Sequence, residues 1–286
     1  MALRRAPFVR SLPRAALERL RGSKGQWMVL GGAAATAVAT VGGVALADDA
    51  LHIPDFPFPH KGNFEAYDTA SLRRGYQVFT EVCASCHGLK LIAYRNLIGV
   101  THTELQAKEI ALDKDVADGP DEAGEMFERP GKLSDYMIGP YANENAAKAA
   151  NNGAEPPDLS LITKARHGGA DYIFALLTGY KDEPPPGVQL MEGQYYNPYF
   201  PGGKIAMPPP ITMAGMVEYE DETESSVAQM SKDIASFLAW TAEPEADERK
   251  QMGIKMVTMM GLAAVGAMFA KRFKWSVFKG RKITFH

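Results

Sequence analysis

Two cysteines are all that the 286 residues contain, and they stand two residues apart in Cys83-Ala84-Ser85-Cys86-His87. One such pair offers no disulfide framework, so the body must be organised by a packed core or by something attached to this run. Cys-x-x-Cys-His is the attachment pattern of a c-type haem, and the spacing has a physical reason. Two thiols at this separation reach the two vinyl groups on one porphyrin edge, while the following imidazole swings beneath the ring to bind iron. On this reading Cys83 and Cys86 hold one haem covalently and His87 is the proximal ligand. A zinc site would need a second ligand pair at similar spacing, and a thioredoxin-like redox pair would need a βαβ setting; neither accompanies the run.

What fills the sixth position on the iron separates a carrier from an enzyme. A closed iron only exchanges electrons, whereas an open one binds a small molecule. The body offers His52, His60, His102 and His167, and between the motif and the last body helix Met126, Met137, Met191, Met207, Met213 and Met216. A thioether is best supplied from a stiff, extended loop over the far face of the ring. Met207, in Gly202-Gly203-Lys204-Ile205-Ala206-Met207-Pro208-Pro209-Pro210, answers that description, because a residue before proline is kept out of the helical region. On local grounds its neighbours stay open, since a lone methionine is more often simple packing.

The overall charge of −3 conceals a basic–acidic–basic chain. Residues 1–47 carry +6, residues 48–247 carry −17 and residues 248–286 carry +8. Such asymmetry points to targeting or membrane contact at the ends and to a cationic partner for the middle. The first 25 residues place Arg4, Arg5, Arg10, Arg14, Arg19, Arg21 and Lys24 among Ala and Leu with one acid, Glu18, as organelle-import presequences do. An apolar, small-residue stretch then reaches an A-x-A pattern at Ala45 to Ala47, followed by Asp48 and Asp49, which reads as a second, secretory-type signal. Residues 1–47 are thus expected to be a cleaved bipartite presequence, with the alternative of a retained N-terminal anchor.

Near the other end Ile254 to Ala270 is apolar except for Lys255, which lies close enough to the border to snorkel. With flanking residues it reaches bilayer thickness, predicting a transmembrane helix over 248–273. The tail 274–286 continues a cluster begun by Lys271 and Arg272 with Lys274, Lys279, Arg281 and Lys282, which favours the inner side and leaves the acidic body 48–247 outside.

Within the body, apolar periodicity predicts helices over Thr69 to Val82, over Ala170 to Leu177 ending at Gly179, and over Val227 to Thr241 stopped by Pro244. Thr103-x-x-Gln106 is a capping box for a short helix to Leu112. Strand-period runs of any length are missing, and Pro/Gly-rich segments at Pro184 to Gly187 and Pro198 to Pro210 connect the helices. The fold class expected is mainly α: a cytochrome c-type haem domain with long loops and one C-terminal transmembrane helix.

From Asn63 to Phe278 the chain resembles the cytochrome c1 family, the haem subunits of the mitochondrial and bacterial quinol:cytochrome c oxidoreductase, the bc1 complex. The resemblance is carried by Arg74-Gly75-Tyr76-Gln77-Val78-Phe79, by the run from Cys83 to Lys90, by Tyr94-Arg95-Asn96-Leu97 and by Asn151-Asn152-Gly153-Ala154 with Pro156-Pro157-Asp158-Leu159-Ser160. It continues through Ala165-Arg166-His167-Gly168-Gly169, Asp171-Tyr172-Ile173-Phe174, Asn197-Pro198-Tyr199-Phe200-Pro201-Gly202 and Lys274-Trp275-Ser276-Val277.

The resemblance implies Met207 as the sixth ligand, Arg166 as the partner of a haem propionate and Tyr172 as a second contact. An arginine suits that task because its guanidinium forks onto a carboxylate. His87 needs its second ring nitrogen anchored, for which a carbonyl near Pro156 or Pro157 is the candidate, and Gly75 is expected to let the first body helix cross the last closely. The implied role is an electron carrier without independent catalysis, between a Rieske iron-sulfur subunit and soluble, basic cytochrome c, beside cytochrome b and a small hinge-type subunit in a dimeric complex. Two acidic stretches are the expected docking charges: Glu218, Glu220, Asp221, Glu222 and Glu224, and Asp113 to Glu128. The implied location is the mitochondrial inner membrane, with the haem domain in the intermembrane space and the C-terminus in the matrix; no nucleic acid is involved. The rival readings are a peroxidase-like haem enzyme with an open distal face and a membrane scaffold without haem.

Overall fold

The computed structural model describes residues 51–282 and 284, so the expected presequence and its cleavage site lie outside the described residues. A helix α1 (Thr69–Val78), opened by the Asp68 side chain accepting from Ala70 N–H, passes into one wide π-type turn, Phe79–Cys83. Strand β1 (Leu89–Ala93) and the 3-10 turn Tyr94–Leu97 lead to α2 (Glu104–Leu112). A hairpin of β2 (Asp115–Asp118) and β3 (Phe127–Pro130) follows, then β4 (Tyr136–Met137), α3 (Glu144–Ala150), α4 (Ile162–Ala165) and α5 (Gly169–Thr178). The chain closes with β5 (Tyr195–Tyr196), β6 (Lys204–Ile205), α6 (Val227–Ala242) and α7 (Ala246–Lys279).

The four body helices expected from apolar period and caps are present, and the short helices α3 and α4 come in addition to them. Thr103 and Gln106 form the reciprocal capping box at the head of α2, and Ser226 caps α6 by accepting from Gln229 N–H. Two differences concern local geometry. The first helix is α-helical only to Val78, its last turn widening as it approaches the cysteines. The segments expected to be plain loops contain three two-stranded antiparallel ladders: β1 with β4, β2 with β3, and β5 with β6. Strands of two to five residues carry too little alternation to register as a period.

Helices α1, α5 and α6 build the core. Leu72, Tyr76, Val78 and Phe79 bury against Met230, Ile234, Phe237 and Trp240, with Ile173 and Leu176 of α5 in the same cluster. The α1–α6 crossing is close because position 75 has no side chain: a Cβ there would stand 2.2 Å from the Asp233 carbonyl oxygen and 2.6 Å from the Phe237 Cβ. Asp233 is fully buried and takes hydrogen bonds from Arg74 Nε (2.8 Å), Ser71 Oγ (2.6 Å) and Gln229 Nε2 (2.9 Å). A charge removed from water is tolerable only when matched in this way.

Helix α7 runs unbroken for 34 residues, about 51 Å at 1.5 Å per residue. From Ile254 to Ala270 its side chains are exposed although mostly apolar, and it is a candidate membrane span by length and composition.

Candidate functional site

The end of α1 delivers the cysteine run. Ala84 N–H donates to the Phe79 carbonyl (2.8 Å), and both Cys86 N–H (3.1 Å) and His87 N–H (2.9 Å) donate to the Cys83 carbonyl, so the two sulfurs and the imidazole share one tight turn. Val82, Cys83 and Ala84 pack against the core, which fixes the turn's direction. Burial, with a smaller contribution from Cys86, pushes the Cys83 thiol up to about 12.

The ring of His87 is held by a clamp. Its Nδ1 stands 2.7 Å from the Pro157 carbonyl oxygen, which only an N–H at that nitrogen can satisfy, leaving the lone pair of Nε2 available to a metal. The clamp continues along β1. Leu159 N–H donates to the Gly88 carbonyl (2.9 Å), Lys90 N–H to Asp158 Oδ2 (2.8 Å) and Leu91 N–H to Ser160 Oγ (3.1 Å). Asp158 also accepts from Ser160 N–H, so the acid that organises the turn ties it to the strand. Burial holds the imidazole below its ordinary value, the Pro157 hydrogen bond and the Asp158 charge acting against that.

Met207 lies two residues beyond β6 and packs, half-buried, against the same core as Cys83. Its loop is pinned at several points. Asn197, fully buried, donates from Nδ2 to the Leu176 carbonyl at the end of α5 (2.7 Å), and its own N–H donates to the Gly203 carbonyl (3.0 Å). Gly202 and Gly203 adopt φ of 76° and 71°, the left-handed region where a Cβ is penalised. The Tyr180 hydroxyl then donates to the Met207 carbonyl itself at 3.1 Å.

Tyr172 is buried on α5, while Arg166 is exposed and donates to the Ala165 carbonyl. Burial raises the Tyr172 hydroxyl, and the Arg166 guanidinium beside it pulls the other way. Tyr180 is raised by burial, with smaller contributions from Tyr172 and Tyr195. Sequence reasoning singles out Arg166, Tyr172 and Met207 but not Tyr180, Asn197, Asp158 or Ser160 as positioning groups. The last three sit inside the Asn197-Pro198 and Pro157-Asp158 runs that carry the family resemblance.

The acidic stretches divide. Glu220 pairs with Arg73 (2.7 Å) and Asp221 with Arg74 (2.6 Å), while Asp118 and Asp135 both pair with Arg129. Among the described residues Asp115, Asp121, Glu122, Glu125 and Glu128 are exposed and form no ion pair. Glu218, Glu222 and Glu224 of the other stretch are likewise exposed and outside any ion pair among the described residues, so both stretches keep uncompensated charge, the larger share of it on the β2–β3 hairpin.

A donor set of two thiols on one turn, an oriented imidazole and a thioether on a pinned loop suits an iron porphyrin, which such residues hold in c-type proteins. Among the described residues no group of three or more His, Cys, Asp and Glu side chains gathers where a metal ion alone would sit.

Residues 58–278 match the profile described as the Cytochrome C1 family. The chain is 55% identical over 266 residues to "Cytochrome c1 1, heme protein, mitochondrial" of Arabidopsis thaliana, covering 92% of this chain and 86% of that one. It is 53% identical over 247 residues to "Cytochrome c1, heme protein, mitochondrial" of Saccharomyces cerevisiae, covering 86% and 80%. With "Cytochrome b-c1 complex catalytic subunit, mitochondrial" of Candida albicans it shares 54% over 246 residues, 86% of this chain and 85% of that one.

Proposed function

The chain belongs to the cytochrome c1 family, and on that footing we propose that it is the electron-transfer haem subunit of a bc1 complex, taking single electrons from a Rieske iron-sulfur protein and handing them to soluble cytochrome c. The haem supplies an iron that changes oxidation state by one electron. The chain's own residues do the rest. Cys83 and Cys86 would hold the group by thioethers, and His87, through Nε2, and Met207 would bind its iron. Arg166 and Tyr172 meet a propionate, the guanidinium offering its charge and the phenol its hydroxyl. Met ligation and burial would both raise the reduction potential, and the backbone bonds around His87 and Met207 would hold each side chain in place.

The observation that carries this reading is the 2.7 Å contact between the Pro157 carbonyl and Nδ1 of His87, the residue directly after the cysteine pair. An imidazole oriented through one nitrogen presents the other as a ligand. A solvated histidine on a scaffold protein has no need of it.

The anchor is α7 in the mitochondrial inner membrane, with the acidic body in the intermembrane space and the basic tail from Lys271 to Lys282 on the matrix side. The complex is dimeric and includes cytochrome b, with a small hinge-type subunit as a further neighbour. The exposed acids of the β2–β3 hairpin draw the basic carrier by long-range attraction.

The test is an alkaline pyridine spectrum of the denatured chain, joined to carbon monoxide addition to the reduced native protein. Thioether-bound haem stays with the polypeptide, and a Met-closed iron shows almost no change with the gas. The Met207→Ala variant should bind it readily. A colourless purified chain would overturn the haem reading, and gas binding by the unaltered protein would favour the open-faced enzyme.

A further inference from the structure

The junction between the body and α7 holds an aromatic group that electron transfer leaves unused. Phe64 is 85% exposed. Its loop is fastened to the head of α7: Lys250 Nζ donates to the carbonyls of His60 (2.7 Å) and Glu65 (2.9 Å), and Tyr67 N–H donates to Asp247 Oδ2 (3.1 Å). The loop and the first turns of the helix face each other across a crevice that Phe64 and Ile254 both line.

Ile254 is the first residue of the apolar run, one helical turn below Lys250, or about 6 Å. The Lys250 ammonium is turned back onto body carbonyls, away from the side where lipid begins. The opposite end of the span carries Trp275 and Phe278, their rings 6.0 Å apart and both exposed. Twenty-one residues separate Ile254 from Trp275, about 31 Å along the axis, against a hydrocarbon core of about 30 Å. Trp and Tyr concentrate at both faces of a bilayer, and Phe and Leu side chains of membrane-surface segments bury at the headgroup and acyl boundary. At the upper face α7 itself supplies none: from Ala246 to Gly266 it has no aromatic residue.

We propose that Phe64 is the missing upper anchor, its ring entering the interfacial layer of the phospholipid leaflet beside Ile254 and setting the height at which the body stands above the membrane. The inference rests on α7 being the membrane span. Lipid, and not a protein groove, is the occupant because the ring is a single exposed aromatic, is continuous with the apolar run, and lies one core thickness from the other aromatic pair.

The experiment places a photoreactive side chain at this position, Phe64→p-benzoylphenylalanine, in the full chain within its complex reconstituted in phosphatidylcholine vesicles. Mass spectrometry of the irradiated chain reads the partner. A phospholipid adduct at residue 64 is expected. An adduct to a neighbouring protein, or none, as for a ring surrounded by water, overturns the proposal. Alkaline carbonate extraction of the same vesicles separates the two levels. A chain released into the supernatant defeats the membrane span and the anchor with it, whereas a retained chain without a lipid adduct defeats the anchor alone.

Discussion

Gly75 and Asp233 meet where α1 crosses α6, the absent Cβ of the first leaving room for the carbonyl oxygen of the second at what would be 2.2 Å. The atom in the way is backbone, so it cannot swing aside as a side chain would. Gly75→Ala must push the helices apart or shift one along the other, and overpacking of this kind costs about 1–3 kcal/mol. Thermal unfolding of the purified protein should show the loss directly, and an unchanged midpoint would mean that the crossing yields without cost.

The buried carboxylate at the same crossing gives a second expectation. Asp233→Asn keeps the shape but leaves the half-buried Arg74 with only Asp221 as an acidic partner. Removing one member of a buried pair costs about 3–5 kcal/mol, and retained contact with Asp221 should hold the loss to the lower end. Replacing both partners together, Arg74→Met with Asp233→Leu, should recover part of it. Urea titration compares the three proteins.

Tyr180→Phe deletes one hydroxyl and its bond to the Met207 carbonyl. A lost hydrogen bond of this sort is worth about 1 kcal/mol, too little to open the iron at neutral pH. The far-red absorption band that reports Met–iron coordination in the oxidised protein should therefore persist in the variant but disappear at lower temperature and lower denaturant. Identical melting of the band in both proteins would show that the tyrosine does not hold the loop.

Electron transfer to soluble cytochrome c should slow steeply as salt rises, because opposite charges steer encounter over distances that ions screen. Neutralising the hairpin with Asp121→Asn, Glu122→Gln and Glu125→Gln should flatten that dependence. Stopped-flow rates across ionic strength measure both slopes. A flat profile for the unaltered protein would remove electrostatic docking altogether.

Acid stability should depend on His60 and His102. Burial, then Lys250 and Lys61, holds His60 down to about 4, and burial with Arg73 does the same for His102. In the unfolded chain both return to about 6.5. Between those values the unfolded state binds more protons, so stability falls as pH drops from about 6.5 toward 4. Denaturation midpoints of the His60→Gln, His102→Gln double variant should fall less over that window than those of the parent.

The cysteine run, the capped helices and the long apolar segment were legible in the sequence because each is a local pattern of spacing or period. The closeness allowed by Gly75 was legible too, since a glycine inside a helix costs stability that only a tight approach of a neighbouring element repays. The small ladders were not, since Tyr195–Tyr196 against Lys204–Ile205 contains no full alternation. Nor could the sequence reveal that Glu220 and Asp221 are matched by Arg73 and Arg74, residues about 147 positions away that only the fold brings near. Tyr180 escaped notice for a related reason: its hydroxyl acts on a carbonyl, and a backbone acceptor leaves no mark in residue identity.

The acceptor that steadies His87 is likewise main chain, which limits how this centre can be altered by single replacements. No substitution at Pro157 deletes its oxygen, so the imidazole's orientation is shielded from most side-chain changes there. Variation must reach it indirectly, by loosening the Asp158 and Ser160 bonds that keep the segment abreast of Lys90 and Leu91. Those two side chains are the handles through which the basicity of the proposed iron ligand could drift or be engineered.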